Sequence, residues 1–455
     1  MATLESDTKR SIRVAIIGAG LSGLTLANGL LRDTLQRYDV QVYERDTVAF
    51  TSERGGYQIR IGAPGLEALK RCSDDELWAS LSTTWAGDEA EAPALVDPNF
   101  GLQLRLADLK LYPSSRPVPR HALRAALLGP LLAQDRVHFS HEFDNFELIS
   151  EDGPTGVKVH FNGQQSVLAD ILIAADGSRS KVNRQVGLNN KVKLDGWHLF
   201  QSRQIINKDV RSRLPKSLLD CGSVLFLGGL KASGFASVYD TKVDTTGSEN
   251  DTSTLFWACL VPGERGKEWL KRSHNDPQRA LTYLIEYLRE ELGYGESLPF
   301  IMKSATEHLR EGLVTSSVKP LKDWRNGEAR HARIILLGDA VHPMTPGRGM
   351  GANQALQDAS QLIKRFHEIQ WADALPSDEE LSSLVSNFDR EMYDRAFKMV
   401  KASEDVTSLD LSKTSGKILI RAVGVLLMVL GWGASVLEMV GLRKAQRLDF
   451  SSHAL

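Results

Sequence analysis

The chain has 455 residues, 42% of them hydrophobic and 25% charged, with a formal net charge of -2. That length accommodates two or three domains, or one large domain carrying an insertion. The even balance of acids and bases excludes the single-sign field that recruits nucleic acid. Three cysteines, Cys72, Cys221 and Cys259, stand too far apart in sequence for a Cys-x-x-Cys pair. Their spacing argues against thiol–disulfide chemistry and for a reducing, cytoplasmic setting.

The N-terminal stretch has no basic segment leading into an uninterrupted apolar run and does not read as a secretory signal. Its first apolar run, IRVAII, is a β-branched strand ending in Gly18. The next segment, LSGLTLANGLLRD, repeats apolar residues at helical spacing, and DVQVYE then reads as a second strand. Gly18-Ala19-Gly20-Leu21-Ser22-Gly23 thus lies between strand and helix, the setting a dinucleotide fingerprint requires. Gly18 permits the tight turn, Gly20 lets a pyrophosphate approach the backbone, and Gly23 lets the helix pack on the strand. Glu44 closes the second strand where a carboxylate accepts hydrogen bonds from adenosine ribose, with Arg45 beside it. A carboxylate there repels a 2'-phosphate, so this site suits FAD or NAD.

Further along, PVPRHALRAALL opens a helix with Arg120 and carries Arg124 one turn on. ADILIAADGSRSKVNR ends a strand on Asp176 and Gly177, followed by Ser180, Val182 and Arg184. A carboxylate and a glycine at a strand end, beside a helix start, can organise a turn around sugar or phosphate oxygens. From about Leu194 to Lys322 the texture becomes long β-like stretches, with one amphipathic helix near DPQRALTYLIEYLREELG. ARIILLGDA then returns to a buried strand. GDAVHPMTPGRGMGANQALQDA follows, with Asp339 at the strand end and His342, Pro343 and Pro346 stiffening the loop. Gly347, Gly349 and Gly351 leave room for a flat ring, and Ala352 and Asn353 open a helix whose positive end can stabilise an anion by roughly 0.3–2 kcal/mol.

These three separated motifs resemble the single-component FAD-dependent aromatic hydroxylases typified by para-hydroxybenzoate hydroxylase. That group includes tetracycline-inactivating enzymes and many fungal secondary-metabolite monooxygenases. The resemblance implies an α/β fold: a discontinuous Rossmann-like FAD-binding domain with an inserted sheet-rich substrate domain and a C-terminal helical region. It implies that Asp176 and Gly177 lie near the flavin pyrophosphate, that Arg120 reaches the cofactor, and that Asp339 holds the ribitol. It further implies FAD as the bound cofactor, NADPH or NADH as a transient reductant, and transfer of one oxygen from a C4a-hydroperoxyflavin to an aromatic or polycyclic substrate. The flavin carries that chemistry, so no catalytic side chain need be assigned, and the chain shows no convincing triad, metal cluster or redox cysteine pair.

The expected domain limits are 1–193 and 323–370 for the FAD-binding parts, 194–322 for the insertion and 371–455 for the C-terminal helices. Substrate contacts are expected from Gln58 and Arg60, in a segment resembling one that lines the family's active site. Gln201 and Arg203, alternating to one face of the inserted sheet, are the other candidates, with Phe226, Tyr239 and Trp257 as apolar walls. A halogenase is disfavoured because no Trp-x-Trp occurs. A flavin-dependent dehydrogenase or reductase of an isoprenoid or polyketide shares the cofactor motifs and remains the alternative.

The tail carries an uncharged run, Ala422 to Leu437. As a helix it measures about 24 Å, short of the roughly 30 Å hydrocarbon core. Extended from Ile418 to Leu442, it could span a membrane with snorkelling end charges, dip into one as in kynurenine hydroxylases, or pack as a buried helix.

Overall fold

The computed structural model describes residues 11–48, 58–85, 92–109, 115–150, 156–240, 252–321, 324–325, 329–368, 376–405 and 410–439. The first layer is a five-stranded parallel sheet. It comprises β1 (Ile12–Ile17), β2 (Tyr38–Tyr43), β7 (Val137–His138), β11 (Ile171–Ala174) and β17 (Ile334–Leu336), in the order β17-β11-β1-β2-β7. Its central strands are buried on both faces, which accounts for their nearly continuous aliphatic sequence. Helix α1 (Leu21–Leu31) links β1 to β2. Two more helices pack nearby, α2 (Arg120–Ala133) and α3 (Gly351–Glu368).

The second layer is a seven-stranded sheet: β4 (Ala94–Val96), β5 (Leu102–Arg105), β12 (Lys191–Asn207), β13 (Ser223–Leu227), β14 (Ser233–Asp240), β15 (Thr252–Pro262) and β16 (Arg310–Ser317), ordered β16-β12-β15-β14-β13-β4-β5. The expected insertion from 194 to 322 thus supplies most of this sheet. However, β4 and β5 come from well before it, and β12 already begins at Lys191. β13 pairs with β4 in parallel, a long-range contact that local patterning could not announce. Smaller sheets are formed by β3 (Gln58–Gly62) with β6 (Ser115–Pro119), and by β8 (Phe143–Ile149), β9 (Gly156–Phe161) and β10 (Gln164–Ala169).

Residues directly opposite on paired strands project to one face, so register decides what each face carries. Arg203, Phe256, Ser237 and Ser223 are successive partners across β12, β15, β14 and β13. Gln201, Ala258, Phe235 and Leu225 form the next row on that face. The opposite face carries Phe200, Trp257, Ala236, Val224 and Phe226, which enter a core with the helices Gly263–Arg272, Pro277–Glu286 and Ser297–Ser304. Phe226 and Trp257 are therefore fully buried core residues and not walls of the Arg203 face. The Trp257 indole N–H donates to the Ala305 carbonyl at 2.8 Å. The aromatic pair beside Arg203 is Phe235 and Phe256, with ring centroids 6.2 Å apart.

The C-terminal region contains α4 (Asp378–Asp405) and α5 (Thr414–Met439). Ile420 and Leu427 of α5 pack onto a small cluster of Leu95, Leu104, Leu109, Leu227 and Leu411. At Gly424 a Cβ would lie 2.8 Å from Leu104, so this glycine permits the close approach. Lys417 also ties the helix to Asp97 at 2.7 Å. The buried-helix expectation thus holds only for one narrow stripe. Ile418, Leu419, Val425, Leu426 and Val429 are each more than half exposed. Among the described residues no helix is long and apolar enough to cross a membrane, so the spanning expectation is not met. Residues 440–442 of that segment lie outside the described residues.

Candidate functional site

β1 ends at Ile17, and the chain turns at Gly18 with φ +103°, where a Cβ would sit 2.5 Å from the Ala175 carbonyl oxygen. Only glycine fits that conformation and that space. At Gly23 a Cβ would lie 2.2 Å from the Gly18 carbonyl oxygen, so α1 presses directly on the turn. Gly20 differs: its nearest neighbour is 3.9 Å away, which leaves its backbone open. Gly20 also caps α1, with no side chain covering the helix start. Gly18 and Gly23 thus provide the tight turn and the close helix packing, and Gly20 leaves open space beside the helix N-terminus, of the kind that suits a pyrophosphate.

Glu44 is buried and engaged. Its Oε2 accepts from the Ala19 N–H at 2.9 Å, and its Oε1 accepts from the Asp46 N–H at 3.1 Å. Arg124 comes from α2 to meet it: Nη2 lies 3.3 Å from Glu44 Oε2, and Nε donates to the Ala19 carbonyl at 2.5 Å. This arginine is 1% exposed, despite its apparent equivalence to any surface residue one helical turn along. Arg124 and Glu44 bracket the Ala19 peptide and hold the fingerprint turn from behind. Arg45 is exposed just beyond. Arg120, at the start of α2, is close enough for its charge to act on Asp339.

Asp176 and Asp339 close β11 and β17, adjacent strands of the first sheet. Asp176 Oδ2 accepts from the Lys181 N–H at 3.0 Å, while its Oδ1 is buried with no partner among the described residues. Gly177 has φ +76°. Asp339 lies deep in the molecule but keeps an exposed side chain, so its carboxylate faces an open cleft. Desolvation raises the pKa of both carboxyls, partly offset at Asp339 by the charges of His342, Arg120 and Lys191. Lys191, which no motif announced, donates to the Gly177 carbonyl at 3.2 Å. Burial lowers its pKa to about 8 against the attraction of Asp176 and Asp339. An orphaned Asp176 oxygen, an open Asp339 carboxylate and a neighbouring ammonium fit a polyhydroxyl and diphosphate group.

The glycine-rich turn continues this cleft. Pro346–Arg348 is a single 3-10 turn, and Gly349 follows it with φ +62°. α3 starts at Gly351, two residues earlier than Asn353, and a Cβ at Gly351 would stand 3.9 Å from Asp339 Oδ1. Ala352 is half-buried in the first turn. Asn353 is 1% exposed and bonded to protein backbone: its Oδ1 accepts from the Gly62 N–H at 2.7 Å, and its Nδ2 donates to the Arg60 carbonyl at 2.9 Å. Asn353 thus fastens β3 against the turn, bringing the segment with Gln58 and Arg60 to the cleft. Gln58 is buried, and the Arg60 guanidinium donates to Ser115 Oγ at 3.0 and 3.1 Å.

A buried network behind the turn was also missed from sequence. Asp358 Oδ2 accepts from the Gly338 N–H at 2.8 Å and lies 2.6 Å from His342 Nε2. Its other oxygen accepts from Arg395 of α4 at 2.6 Å. Burial alone would raise the Asp358 pKa, but His342 and Arg395 outweigh it and hold the carboxyl at about 2. A periodicity argument sees Asp358 only as a polar position on a helix, so it gave no signal.

Residues 303–376 match the family described as FAD binding domain, and residues 16–80 match an NAD(P)-binding Rossmann-like domain. The FAD-dependent monooxygenase dbaB of Emericella nidulans is 26% identical over 79% of this chain and 88% of its own length. Monooxygenase cfoF of Aspergillus candidus is 24% identical over 86% of this chain and 89% of its own. An FAD-containing monooxygenase structure from Photorhabdus luminescens superposes with a TM-score of 0.69 at 23% identity, covering 89% of this chain and all of that one. The domain matches and these relatives uphold the resemblance read from the three motifs: the chain is an FAD-dependent oxidoreductase whose relatives are monooxygenases.

Proposed function

We propose that this flavoenzyme inserts one oxygen atom from O₂ into an aromatic or polycyclic small molecule of secondary metabolism, using NADPH or NADH as reductant. The observation that carries this reading is the meeting of two layers. The open Asp339 carboxylate and the Gly349 turn lie at the end of the first sheet. Arg203, on the second sheet, sits close enough to His121 of α2 to perturb its ionisation. The second sheet thus carries a cation, Arg203, beside the aromatic pair Phe235 and Phe256 on one face.

FAD, when bound, supplies the redox and oxygen-activating chemistry. The chain's residues do the positioning. The Gly18–Gly23 turn and the α1 start hold the pyrophosphate, and Glu44, fixed by Arg124, takes the adenosine ribose. Asp176, Gly177 and Asp339 take the sugar and ribitol oxygens, with Arg120 reaching the same region. The Pro346–Gly351 turn and the first residues of α3, Ala352 and Asn353, hold the ring end. Gln58, Arg60, Gln201 and Arg203 surround the substrate space, where exclusion of water favours oxygen transfer over wasteful oxidation. Product analysis under labelled O₂ tests this reading: one labelled atom per turnover is expected. Substrate-dependent flavin reduction without labelled product would instead establish the dehydrogenase alternative.

We also propose that the outward face of α5 makes peripheral contact with a lipid surface. The support is its row of exposed aliphatic side chains, together with the exposed basic residues Lys413 and Arg421 at the N-terminal end. Such a face suits insertion into the headgroup boundary with basic groups against anionic lipids.

A further inference from the structure

The loop that carries Asp339 is gripped from two sides. On one side Asp358 accepts from the Gly338 N–H and meets His342. On the other the loop presents carbonyls, and three of them accept from buried side chains far away in sequence. Ala340 accepts from Asn183 Nδ2 at 2.9 Å, Val341 from Asn190 Nδ2 at 2.8 Å, and Pro343 from Ser317 Oγ at 3.0 Å. Asn183, Asn190 and Ser317 are 0%, 4% and 5% exposed. Buried amides and hydroxyls hold their geometry because no water stands ready to replace a lost partner.

Two of these residues stand where the chain enters and leaves the long strands of the second sheet. Asn190 immediately precedes β12, and Ser317 is the last residue of β16. Lys191 and Ser317 are direct cross-strand partners, so the two attachments lie side by side at the root of that ladder. Asn190 also holds the departing chain: its Nδ2 donates to the Val318 carbonyl at 2.9 Å, and its backbone carbonyl accepts from the Val318 N–H at 2.8 Å. Asn183, in the short helix Lys181–Gln185, joins the set by donating to Asn190 Oδ1 at 3.0 Å. Its own Oδ1 is buried with no partner among the described residues, so this amide leaves an acceptor unused while both donors are engaged. Turned over, it would set that oxygen against two other acceptors.

We propose that Asn190 is a positioning residue for the bound flavin, and that Asn183, Asn190 and Ser317 form a clasp fixing the Asp339 loop to the root of the second sheet. This inference rests on the reading of Asp339 and the Pro346–Gly351 turn as the ribitol and ring end of the FAD cradle. The loop runs through Pro343 into that turn and on to the start of α3. A shift at Val341 or Pro343 is therefore carried in both directions along the chain. Asp339 then meets the ribitol at a changed distance, and the positive helix start moves away from the negative charge of reduced flavin. The clasp residues act through the loop and not as flavin ligands.

The test uses the full chain with FAD and needs no substrate. Asn190→Ala and Ser317→Ala are compared with Tyr294→Phe, which removes a buried hydrogen bond to the Ala232 carbonyl in the core on the other face of the second sheet. FAD affinity is read by fluorescence quenching, the potential of the bound flavin by reductive titration against a reference dye, and stability by urea. Each clasp variant should bind FAD roughly two- to tenfold more weakly, the scale of a buried hydrogen bond, and hold it at a more negative potential. Tyr294→Phe should lower the urea midpoint and leave both flavin readouts at the parent's values. If Asn190→Ala does not fold, Ser317→Ala, which removes a single bond to the loop, decides the matter. A folded clasp variant with the parent's affinity and potential, whatever its stability, or a Tyr294→Phe protein whose potential moves as far as theirs, would overturn the proposal. Asp339→Asn separates the clasp from the reading beneath it. Unchanged FAD binding in that variant sinks both, whereas weakened binding there with parent-like clasp variants sinks the clasp alone.

Discussion

Asp358 and His342 meet at 2.6 Å in the fully buried space behind the Pro346–Gly351 turn, and the same carboxylate oxygen accepts from the Gly338 N–H. The pair fixes the strand-to-loop corner on which Asp339 stands. Asp358→Asn leaves His342 and Arg395 facing an amide. Breaking such a buried charged pair costs about 3–5 kcal/mol, so the variant should show a lower urea midpoint and lose FAD during gel filtration. The pH dependence follows from the depressed carboxyl. Its contribution is fully present above the unfolded value near 4 and is lost as pH falls through about 2. Parent and variant stabilities should therefore converge in that window, as read by denaturant titration; parallel profiles would remove Asp358 as the cause.

The fingerprint glycines should separate fold from cofactor binding. Gly23→Ala places a methyl against the Gly18 carbonyl and should lower stability outright. Gly20→Val meets no protein atom closer than 3.9 Å at its Cβ, so the chain should fold but purify with little FAD. Circular dichroism and the flavin-to-protein absorbance ratio distinguish the two. Gly349→Val, strained by φ +62° yet unobstructed, should likewise impair flavin binding or reduction more than folding. A fully loaded, normally reducible Gly349→Val protein would count against the turn as the ring site.

Lys191 makes an opposed pair of pH effects. Its folded pKa is lowered to about 8, so the unfolded chain binds the extra proton above that pH, and this group makes the apoprotein more stable as pH rises. The same deprotonation removes the positive partner of Asp176 and Asp339. FAD affinity should accordingly weaken from about pH 8 upward, measured by fluorescence quenching. Lys191→Met should bind FAD more weakly at pH 7 and lose that alkaline dependence.

The lipid contact of α5 predicts that the chain sediments with anionic vesicles and less with neutral ones. Leu419→Glu together with Leu426→Glu should release it, since both positions are more than half exposed and the fold does not need them. A chain ending at Ser412 should also stay in the supernatant. Equal sedimentation of parent and double variant would assign the exposed face to something other than lipid.

The parts legible in sequence were those whose physics is local. Gly18, Gly20 and Gly23 announce themselves because strand, turn and helix follow within a dozen residues, and Asp176 and Asp339 because each closes a buried strand. The face carrying Gln201 and Arg203 was readable from alternation. Assigning Phe226 and Trp257 to that face failed because each lies on another strand, and only the register shows that both point into the opposite core. Arg124 was hidden for a similar reason. Its partners Ala19 and Glu44 are far away in sequence, and nothing in a helical repeat distinguishes an arginine that turns inward. Asn353 was found as a position but not in its work, since its partners are backbone groups on β3.

The first sheet also has an order of construction. β11 ends at Ala174, but the strand that covers its outer edge, β17, begins only at Ile334, after the whole second sheet has been written into the chain. During synthesis the N-terminal strands emerge first, so Ile171–Ala174 waits as an uncovered apolar edge while most of the protein is still being made. Such an edge is a template for pairing with other chains. Any product that stops short of residue 334 keeps it open, which makes premature termination an aggregation hazard beyond the loss of the cofactor site.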